Sequence, residues 1–572
     1  MIRTAALPLA ALALSACASL PQTADNPETR AAPPFAGSVS AADPRAQAAG
    51  EAILARGGSA TDAAIAVMLA LSVVEPQSSG IGGGGFLVRG EAQGTVTSYD
   101  GRETAPSGAT PDWFLDETGA LPPFMDSVRS GLSVGVPGNI ALAAKAHAAH
   151  GKLAWADLFG PAIALARDGW QVNSRFHDSL TRSKDRAAYS EAGRALFYDA
   201  QGEPLPVGTL VRNEAQAQTL AKIAEGGRDA FYKGADALAL AATVAAQTPK
   251  PGAMTYEDVV RYQAKERKAL CSSYRSYRIC SMGPPTSGGI AVHQILGQLE
   301  PFDLAALGAD NPVTWHLFLE SQRLAYADRE LYVADSDFVT VPVAGLLDRS
   351  YIAGRSALIS PTARIEDVQP GVPMGAPFAL ADGDEPEEQG TTHFAVVGAD
   401  GTMVSYTSTV EGPFGSGLMV GGFYLNNELT DFSRSPEIDG RVVANRVEGG
   451  KRPRSSMAPT VIYDPQGRPF MAVGAAGGST IPVSTARTII GAIDFGLSAE
   501  EAMRLPFVMA FGDRVLLEEG TWLEAQAAAF RALGHTELLV RPAPIKAGAV
   551  LRYSDRWQSA RDPRLEGLVD LP

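Results

Sequence analysis

The sequence predicts a fold built from both helices and β-strands, and three patterns predict it. Residues 63–71 are apolar around the whole circumference of a helix, which indicates a helix buried between layers of structure. Residues 138–250 are rich in alanine and mainly helical in pattern. Runs bounded by short turns predict strands around residues 86–100, 270–282, 392–409, 458–475 and 505–517. Such a chain buries helices against sheets.

Composition and charge exclude several classes of protein. With 45% hydrophobic and 19% charged residues, the 572-residue chain can bury large cores, which excludes a wholly disordered or fibrous protein. Its 63 acidic residues outnumber 48 basic ones, and the net charge of −15 argues against binding to nucleic acid, which requires a basic surface. The length predicts two or three domains or one large assembly.

The first residues read as an export signal. Arg3 supplies a positive start, residues 5–14 supply an apolar stretch, and residues 14–17 supply a cleavage region. The apolar run of about ten residues is well short of the roughly 20 that span a bilayer. We therefore expect residues 1–17 to be a signal peptide and residues 18–37, rich in proline and alanine, to be a flexible tether.

Two readings of the cleavage region remain open. Its sequence Leu-Ser-Ala-Cys resembles the bacterial lipobox, in which the cysteine, here Cys17, is acylated and becomes the first mature residue. Ala18 after it indicates sorting to the outer membrane. The alternative is an ordinary secretory signal that happens to contain a cysteine. We favour the lipobox, and either reading predicts an exported protein in the periplasm.

Helices are predicted at residues 46–56, 59–72 and 311–335. The glycine-rich run at residues 80–85 follows the second helix and precedes the strand-like residues 86–89, and it matches the dinucleotide motif G-x-G-x-x-G. That motif requires a strand before it and a helix after it, so the context here is reversed. We interpret the run as a tight turn with close backbone packing.

Two cysteines lie within one predicted hairpin. If Arg275 and Ser276 form a two-residue loop, Cys271 faces Cys280 across the ladder, at a Cα separation that suits a disulfide. An oxidising periplasm favours the bridge over the alternative, a pair of reduced thiols. Its role would be structural.

A long aperiodic segment, residues 361–390, is rich in proline and glycine and ends acidic, as expected of a solvated linker. A predicted hairpin follows it directly. A three-residue loop at 399–401 would place Thr391 opposite Thr409 on one face, whereas a two-residue loop would put Thr409 on the other face. By spacing alone these are ordinary strand threonines.

Two later loops carry small residues. Residues 451–457 contain the adjacent serines Ser455 and Ser456, which by themselves indicate only a turn. Gly477 and Gly478 can present successive backbone N–H groups as an anion cradle or oxyanion hole, which is a weak signal when taken alone.

Taken in order, these segments resemble the γ-glutamyltransferase family of the N-terminal-nucleophile hydrolases. The resemblance covers residue 38 to the C-terminus. It rests on residues 42–88, GRETAP (101–106), GPPTSGGI (283–290), LAYADR (324–329), GTTHFAVV (390–397), FGSG (414–417), LNNELTDFS (425–433), KRPRSSMAPT (451–460) and GAAGGS (474–479).

The resemblance implies an α+β fold, the four-layer αββα sandwich. It also implies a precursor that cuts itself between Gly390 and Thr391. The large chain, 38–390 or beginning at Cys17, and the small chain, 391–572, would then share one domain as a heterodimer. A flexible polar linker suits this process because the new chain end must move away from the site.

The implied chemistry is acyl transfer. The hydroxyl of Thr391 would attack a γ-glutamyl compound such as glutathione, with its own α-amine as the base. Thr409 would orient the nucleophile, and the N–H groups of Gly477 and Gly478 would stabilise the oxyanion. The acyl group would pass to water or to an amino-acid or peptide amine. No cofactor is implied.

Substrate recognition follows from charge. The donor's α-carboxylate would meet Arg102 and the hydroxyls of Ser455 and Ser456, and its α-ammonium would meet Glu428 and Asp431. Without the resemblance, Arg102 and Asp431 would be read as solvated surface charges.

Two departures from the family pattern affect specificity. Glu411 stands where familiar members have asparagine, which brings three carboxylates near one cation, so that one carboxyl is protonated or Glu411 points elsewhere. Residues 434–450 are shorter than the lid of many bacterial members and lack its tyrosine. A more open pocket would admit bulkier donors and let water compete with amine acceptors.

Two other functions stay open at this point. One is a sibling amidase such as a cephalosporin acylase, and the other is a non-processed, lipid-anchored binding protein that keeps the fold. No metal is expected, because the seven histidines show no ligand spacing and His393 reads as a strand residue.

Overall fold

A computed structural model describes residues 1–2, 35–378, 380–383, 390–543 and 546–570. The chain divides into two units, Met1–Phe35 and Ala36–Pro572, and every helix and strand given below belongs to the second. The predicted signal peptide beyond its first two residues, Cys17 and nearly all of the tether lie outside the described residues. Within the described ranges, no helix combines the length and apolar character needed to cross a membrane.

Two six-stranded antiparallel sheets form the centre of the protein. The first has the order β1 (Gly37–Ala41), β10 (Gly390–Gly398), β11 (Met403–Glu411), β2 (Gly84–Gly90), β3 (Val96–Gly101), β6 (Lys265–Arg267). The second has the order β22 (Arg556–Arg561), β21 (Lys546–Tyr553), β17 (Pro469–Ala476), β16 (Thr460–Tyr463), β8 (Tyr277–Ser281), β7 (Leu270–Tyr274). The sheets face each other through β10, β11, β17 and β21.

Smaller sheets decorate this centre. Two have three strands: β14 (Glu437–Ile438), β15 (Arg441–Val443) and β9 (Leu380–Ala381), then β18 (Val508–Phe511), β19 (Arg514–Glu518) and β20 (Glu537–Arg541). Two have two strands: β4 (Trp170–Gln171) with β5 (Leu210–Val211), and β12 (Met419–Val420) with β13 (Phe423–Tyr424). The pairing of β9 with β15 attaches the end of the predicted linker to residues 434–450.

Helices cover both outer faces of the paired sheets. On the first sheet lie α1 (Pro44–Ala55) and α2 (Ala60–Val74), and on the second lie α13 (Gly288–Leu299) and α18 (Thr480–Ile493), with α15 (Pro312–Tyr332) packed on α13. The remaining helices are α3 (Phe124–Val128), α4 (Asn139–His150), α5 (Gly160–Asp168), α6 (Ser174–Arg182), α7 (Lys184–Ala187), α8 (Glu191–Phe197), α9 (Glu214–Gly226), α10 (Arg228–Tyr232), α11 (Gly234–Ala246), α12 (Tyr256–Arg261), α14 (Leu304–Leu307), α16 (Val343–Leu346), α17 (Arg349–Ser356), α19 (Ala499–Arg504), α20 (Trp522–Ala525) and α21 (Ala527–Ala532).

The core is divided by the first sheet. Phe394 and Val396 of β10 pack with α1 and α2, while the alternate residues Ala395 and Val397 pack between the sheets. Every residue of α2 is buried, as its apolar circumference predicts. The fold is therefore the predicted α+β arrangement of four layers, αββα.

Local predictions agree with the structure in several places. The long helix predicted at 311–335 is α15, and the run at 80–85 forms a turn that leads into β2. In the cysteine hairpin, Tyr274 pairs with Tyr277, so Arg275 and Ser276 form a two-residue loop. Both have positive φ, 48° and 68°, as a tight hairpin turn requires.

Candidate active site

The hairpin of β10 and β11 sets the register of the two threonines. Gly398 pairs with Thr402 through a three-residue loop, and Gly401 in that loop has φ of 78°, the left-handed conformation that glycine adopts readily. Thr391 consequently pairs directly with Thr409. Of the two loops considered from the sequence, the structure has the three-residue one.

The two threonine hydroxyls are in contact. Thr391 Oγ1 lies 3.3 Å from Thr409 Oγ1. The Thr409 hydroxyl donates to the carbonyl oxygen of Gly390 at 2.8 Å and accepts from the N–H of Glu411 at 2.7 Å. The single hydroxyl proton of Thr409 is used in the hydrogen bond to the Gly390 carbonyl oxygen. The hydroxyl of Thr391 is therefore the donor in the hydrogen bond between the two threonines. Thr409 thus binds both the hydroxyl of Thr391 and the carbonyl group that precedes it.

Thr391 and Thr409 open into a cavity of about 240 Å³. Most of the other residues selected from the sequence line the same cavity: Arg102, Glu411, Glu428, Asp431, Ser455, Ser456 and Gly478. The cavity also has four charged residues that the sequence analysis does not single out: Arg329, Glu330, Asp382 and Arg454. The structure therefore gathers one polar site from segments spread over most of the chain.

Arg102 organises the carboxylates of this site. Its guanidinium is almost fully buried and pairs with Glu428 and Asp431. It also donates to the carbonyl oxygens of Pro453, at 3.2 Å, and Arg454, at 2.8 Å. Two carboxylates that the sequence analysis assigns to a substrate ammonium thus balance the arginine assigned to a substrate carboxylate.

The third carboxylate, Glu411, ends β11 with φ of 75°, a conformation that favours glycine or asparagine. Its Oε2 accepts from Asn427 Nδ2 at 3.3 Å. Asn427 is itself fixed, because its Oδ1 accepts from the N–H of Gly412 at 2.8 Å. Glu411 therefore points into the site and does not turn away from it.

The two serines each accept a hydrogen bond from the protein. Ser455 Oγ accepts from the N–H of Met457 at 3.1 Å, and Ser456 Oγ accepts from Arg329 Nη2 at 2.7 Å. A hydroxyl that accepts in this way keeps its own proton for donation. Both serines can therefore donate to an anion in the cavity.

Gly477 and Gly478 lie between β17 and the N-terminus of α18. Their φ angles are 125° and 60°, and Ser479 follows as the first residue before the helix. The N-terminus of a helix carries a partial positive charge and favours an anion beside it. The two glycines and α18 together suit the position of an oxyanion.

Three of the charged residues that the sequence did not indicate form ion pairs with one another. Glu330 lies between Arg329 and Arg454 and pairs with both. Burial alone would raise the pKa of Glu330, but the two arginines outweigh burial and hold it below its ordinary value. Arg329 and Arg454 lie within the motifs LAYADR (324–329) and KRPRSSMAPT (451–460), and their place in these motifs is the signal that could have found them.

A further buried carboxyl, Glu103, follows Arg102 in the chain. Neither of its oxygens has a hydrogen-bond partner among the described residues. Burial raises the pKa of Glu103 from 4.5 to about 8, against the lowering effect of Arg102. At neutral pH the folded protein therefore holds Glu103 largely protonated.

This shift predicts a pH-dependent stability. Below pH 4.5 Glu103 is protonated in the folded and the unfolded state, so its titration does not change the free energy of unfolding. Between pH 4.5 and 8 the unfolded chain releases a proton that the folded protein keeps, so the free energy of unfolding falls as the pH rises. In a Thr391→Ala background, where the expected self-cleavage has no nucleophile, Glu103→Gln should gain stability over its parent by up to about 4 kcal/mol across that window. Denaturant unfolding at several pH values measures it, and parallel curves would contradict the prediction.

One cluster among the described residues could in principle hold a metal ion: His316, Glu320 and His535. Its ligand atoms are already used, because His316 Nδ1 and His535 Nε2 share a hydrogen bond of 2.8 Å. Arg323 Nη1 donates to both oxygens of Glu320 at 3.1 Å. A cation already balances the carboxylate, so the arrangement suits a structural contact better than a metal.

Two residues considered from the sequence have structural surroundings. His393 is buried in β10, and its Nδ1 lies 2.9 Å from Thr407 Oγ1. Burial lowers the pKa of His393 to about 3, so the ring is neutral. Cys271 and Cys280 face each other at a Cα separation of 4.2 Å and are joined by a disulfide.

Comparisons with known proteins agree on one family. The profile described as Gamma-glutamyltranspeptidase matches residues 46–570. The glutathione hydrolase proenzyme of Bacillus subtilis is 37% identical over 484 residues, covering 82% of this chain and 80% of that protein. The glutathione hydrolase proenzyme of Escherichia coli is 37% identical over 481 residues, with the same coverage.

Acylases are similar as well. The Acylase ACY 1 proenzyme of Pseudomonas sp. (strain SE83) is 34% identical over 530 residues and 91% of each chain. The crystal structure of cephalosporin acylase from Bacillus halodurans superimposes with a TM-score of 0.79 at 27% identity, covering 92% of this chain and 94% of that one. Helicobacter pylori gamma-glutamyltranspeptidase gives 0.55 at 36% identity, covering 58% of this chain and 94% of that one.

Proposed function

The chain belongs to the gamma-glutamyltranspeptidase family, and from this we propose that it is a self-processing enzyme that cleaves the γ-glutamyl amide of glutathione and related compounds. The observation that carries the proposal is the cavity in which the Thr391–Thr409 pair meets Arg102 with its two carboxylates. Relatives named glutathione hydrolase proenzymes support both the reaction and a precursor.

Self-cleavage is supported by the contacts of Thr409. The Thr391 hydroxyl attacks the carbonyl carbon of Gly390, and the hydrogen bond that Thr409 donates to the carbonyl oxygen stabilises the negative charge that develops there. The bond between the Gly390 carbonyl carbon and the Thr391 nitrogen breaks, the hydroxyl proton passes to that nitrogen, and the amide becomes an ester with a free Thr391 amine. Water then hydrolyses the ester to a free Gly390 carboxylate and the Thr391 hydroxyl. The products are a large chain ending at Gly390 and a small chain beginning at Thr391, which together form a heterodimer.

Catalysis then uses the new amine. The neutral α-amine of Thr391 takes the hydroxyl proton as Oγ1 attacks the γ-amide carbon of the donor. The amine returns that proton to the leaving nitrogen, which leaves a γ-glutamyl ester on Thr391. Water or an amine attacks the ester in the second half, giving its proton to the same base. The N–H groups of Gly477 and Gly478 stabilise the oxyanion in both halves.

Donor recognition exchanges one set of ion pairs for another. A γ-glutamyl group carries an α-carboxylate and an α-ammonium on one carbon. Its carboxylate binds Arg102 and the hydroxyls of Ser455 and Ser456, while its ammonium replaces the arginine as the partner of Glu428 and Asp431. Net charge in the site is thereby preserved, which favours a zwitterionic donor over an anionic one.

A cephalosporin-acylase-like amidase is the second candidate, favoured by the acylase relative that aligns with 91% of the chain. Its glutaryl donor lacks the ammonium and would leave Glu428 and Asp431 facing an anion. We therefore expect kcat/KM for a γ-glutamyl anilide to exceed that for the matched glutaryl anilide by about 10²-fold or more. Equal values, or a preference for glutaryl, would favour the acylase.

Acceptor choice and location complete the proposal. Residues 434–450 contain no tyrosine, and we propose that water competes effectively with amine acceptors. We also propose export to the periplasm, with acylation of Cys17 as a lipid anchor. Metabolic labelling with palmitate tests the anchor, because the label should be lost in Cys17→Ser.

A further inference from the structure

A lysine that belongs to none of the active-site motifs in the sequence contacts the backbone of Thr391. Lys546 begins β21, where it pairs with Ala476 at the end of β17. Its ammonium donates to the carbonyl oxygen of Thr391 and, at 3.0 Å, to Ser78 Oγ. It is not among the residues that line the cavity, and the mechanism above does not use it.

This ammonium belongs to a small charged group. Arg175 on α6 pairs with Glu75, which follows α2, and donates to Ser78 Oγ at 3.1 Å. Burial, reinforced by Arg175 and opposed by Glu75, lowers the pKa of Lys546 to about 7. Burial would raise the pKa of Glu75, but Arg175 and Lys546 outweigh it and hold that pKa low.

Covalent geometry fixes how near this charge is to the base. Three bonds join the carbonyl oxygen of a residue to its own nitrogen, so the Lys546 ammonium lies within about 7 Å of the Thr391 nitrogen. Two cations at this distance disfavour each other, and a pair of coupled amines releases its first proton at lower pH than one amine alone. Coulomb's law in a site of intermediate polarity gives a shift of about 0.5–2 pH units.

We propose that Lys546 is a positioning residue that titrates together with the α-amine of Thr391: near neutral pH the two amines share one proton, and whenever Lys546 holds it the α-amine is neutral and able to act as the base. The proposal rests on the proposed cleavage that creates this amine. The cavity that Thr391 lines also holds eight charged side chains: Arg102, Arg329, Glu330, Asp382, Glu411, Glu428, Asp431 and Arg454. Lys546 from β21 contacts the backbone of Thr391, and beside the lysine lie Arg175 from α6 and Glu75 after α2. Among the residues that the structure describes, Lys546 is the cation that donates a hydrogen bond to the backbone of Thr391.

The test is the acidic limb of the pH profile of kcat/KM, which reports the base of the free enzyme. Lys546→Met should move that limb to higher pH by up to about 2 units, because the lone amine no longer shares its proton with a neighbouring cation. Lys546→Arg keeps the cation and should leave the limb near its original pH or lower. A Lys546→Met limb that coincides with that of the parent overturns the proposal.

Two further measurements keep the outcomes distinct. Intact mass shows whether each variant is cleaved at Thr391, and an uncleaved parent would refute the proposed function and not Lys546 specifically. If Lys546→Met fails to fold or to be cleaved, the same question can be tested on the parent enzyme. ¹⁵N NMR of the threonine-labelled parent should then show a pKa of the Thr391 amine below the ordinary ~7.7–8.0. A value at or above 8 would exclude the proposed role of Lys546.

Discussion

Thr391→Ala is expected to leave the chain in one piece and to abolish activity. Alanine has no hydroxyl to attack the Gly390 carbonyl, so neither the ester nor the new amine forms. Loss of a nucleophile that acts with its base typically costs on the order of 10⁴–10⁶-fold in kcat. Intact mass of the denatured protein and turnover of a γ-glutamyl anilide measure the two effects.

Thr392→Ala provides a matched control, because it removes the same atoms one residue along the same buried strand. Thr392 pairs with Ser408 in the register and points to the face opposite Thr391. We expect two fragments with a junction at Gly390/Thr391 in this control. A cleaved Thr391→Ala chain would show that another group cuts the precursor, and an unbroken chain in every sample would favour a binding protein that keeps the fold.

Arg102→Met should have the second largest effect. The substitution removes the partner of the donor's α-carboxylate and leaves Glu428 and Asp431 as uncompensated charges, which costs about 3–5 kcal/mol. We expect kcat/KM to fall on the order of 10²–10³-fold, mainly through KM, because this contact is made before and during the reaction. Steady-state kinetics with a γ-glutamyl anilide measure the change.

Two other arginine substitutions serve as comparisons for Arg102→Met. Arg102→Lys keeps the charge but loses the planar fork, so an intermediate loss is expected. Arg504→Met removes a half-exposed arginine paired with Glu500 on the surface and should change kcat/KM by less than about 2-fold. If Arg102→Met bound the donor as well as the parent does, Arg102 would have a structural role only.

Local signals predicted the elements better than the site. The apolar circumference of α2 and the turn residues of the cysteine hairpin are properties of neighbouring residues, so the sequence shows them directly. The face of Thr409 was different, because two loops fitted the spacing between the strands equally well. The left-handed Gly401 and the resulting register resolved it.

Long-range contacts explain what the sequence could not show. Arg102 pairs with Glu428 and Asp431, which lie 326 and 329 residues further along the chain. Lys546 lies 155 residues from Thr391 and begins a strand with no motif around it. No periodicity encodes such pairs. The family resemblance placed Arg102, Glu428 and Asp431 in one site without pairing them, and it carried no expectation for Lys546.

Both central sheets contain strands from each side of the Gly390/Thr391 junction, and this affects how the protein folds and unfolds. In the first sheet, β1, β2, β3 and β6 come before Thr391 in the sequence, whereas β10 and β11 come from the Gly390/Thr391 junction onward. The second sheet likewise combines β7 and β8 from before the junction with β16, β17, β21 and β22 from after it. Before cleavage, folding is a unimolecular event. After the proposed cleavage each sheet would be a contact between two chains, so separating the chains would mean unfolding both. Recovery from heat or denaturant then depends on concentration. We therefore expect the mature enzyme to persist through slow unfolding, having had one opportunity to fold.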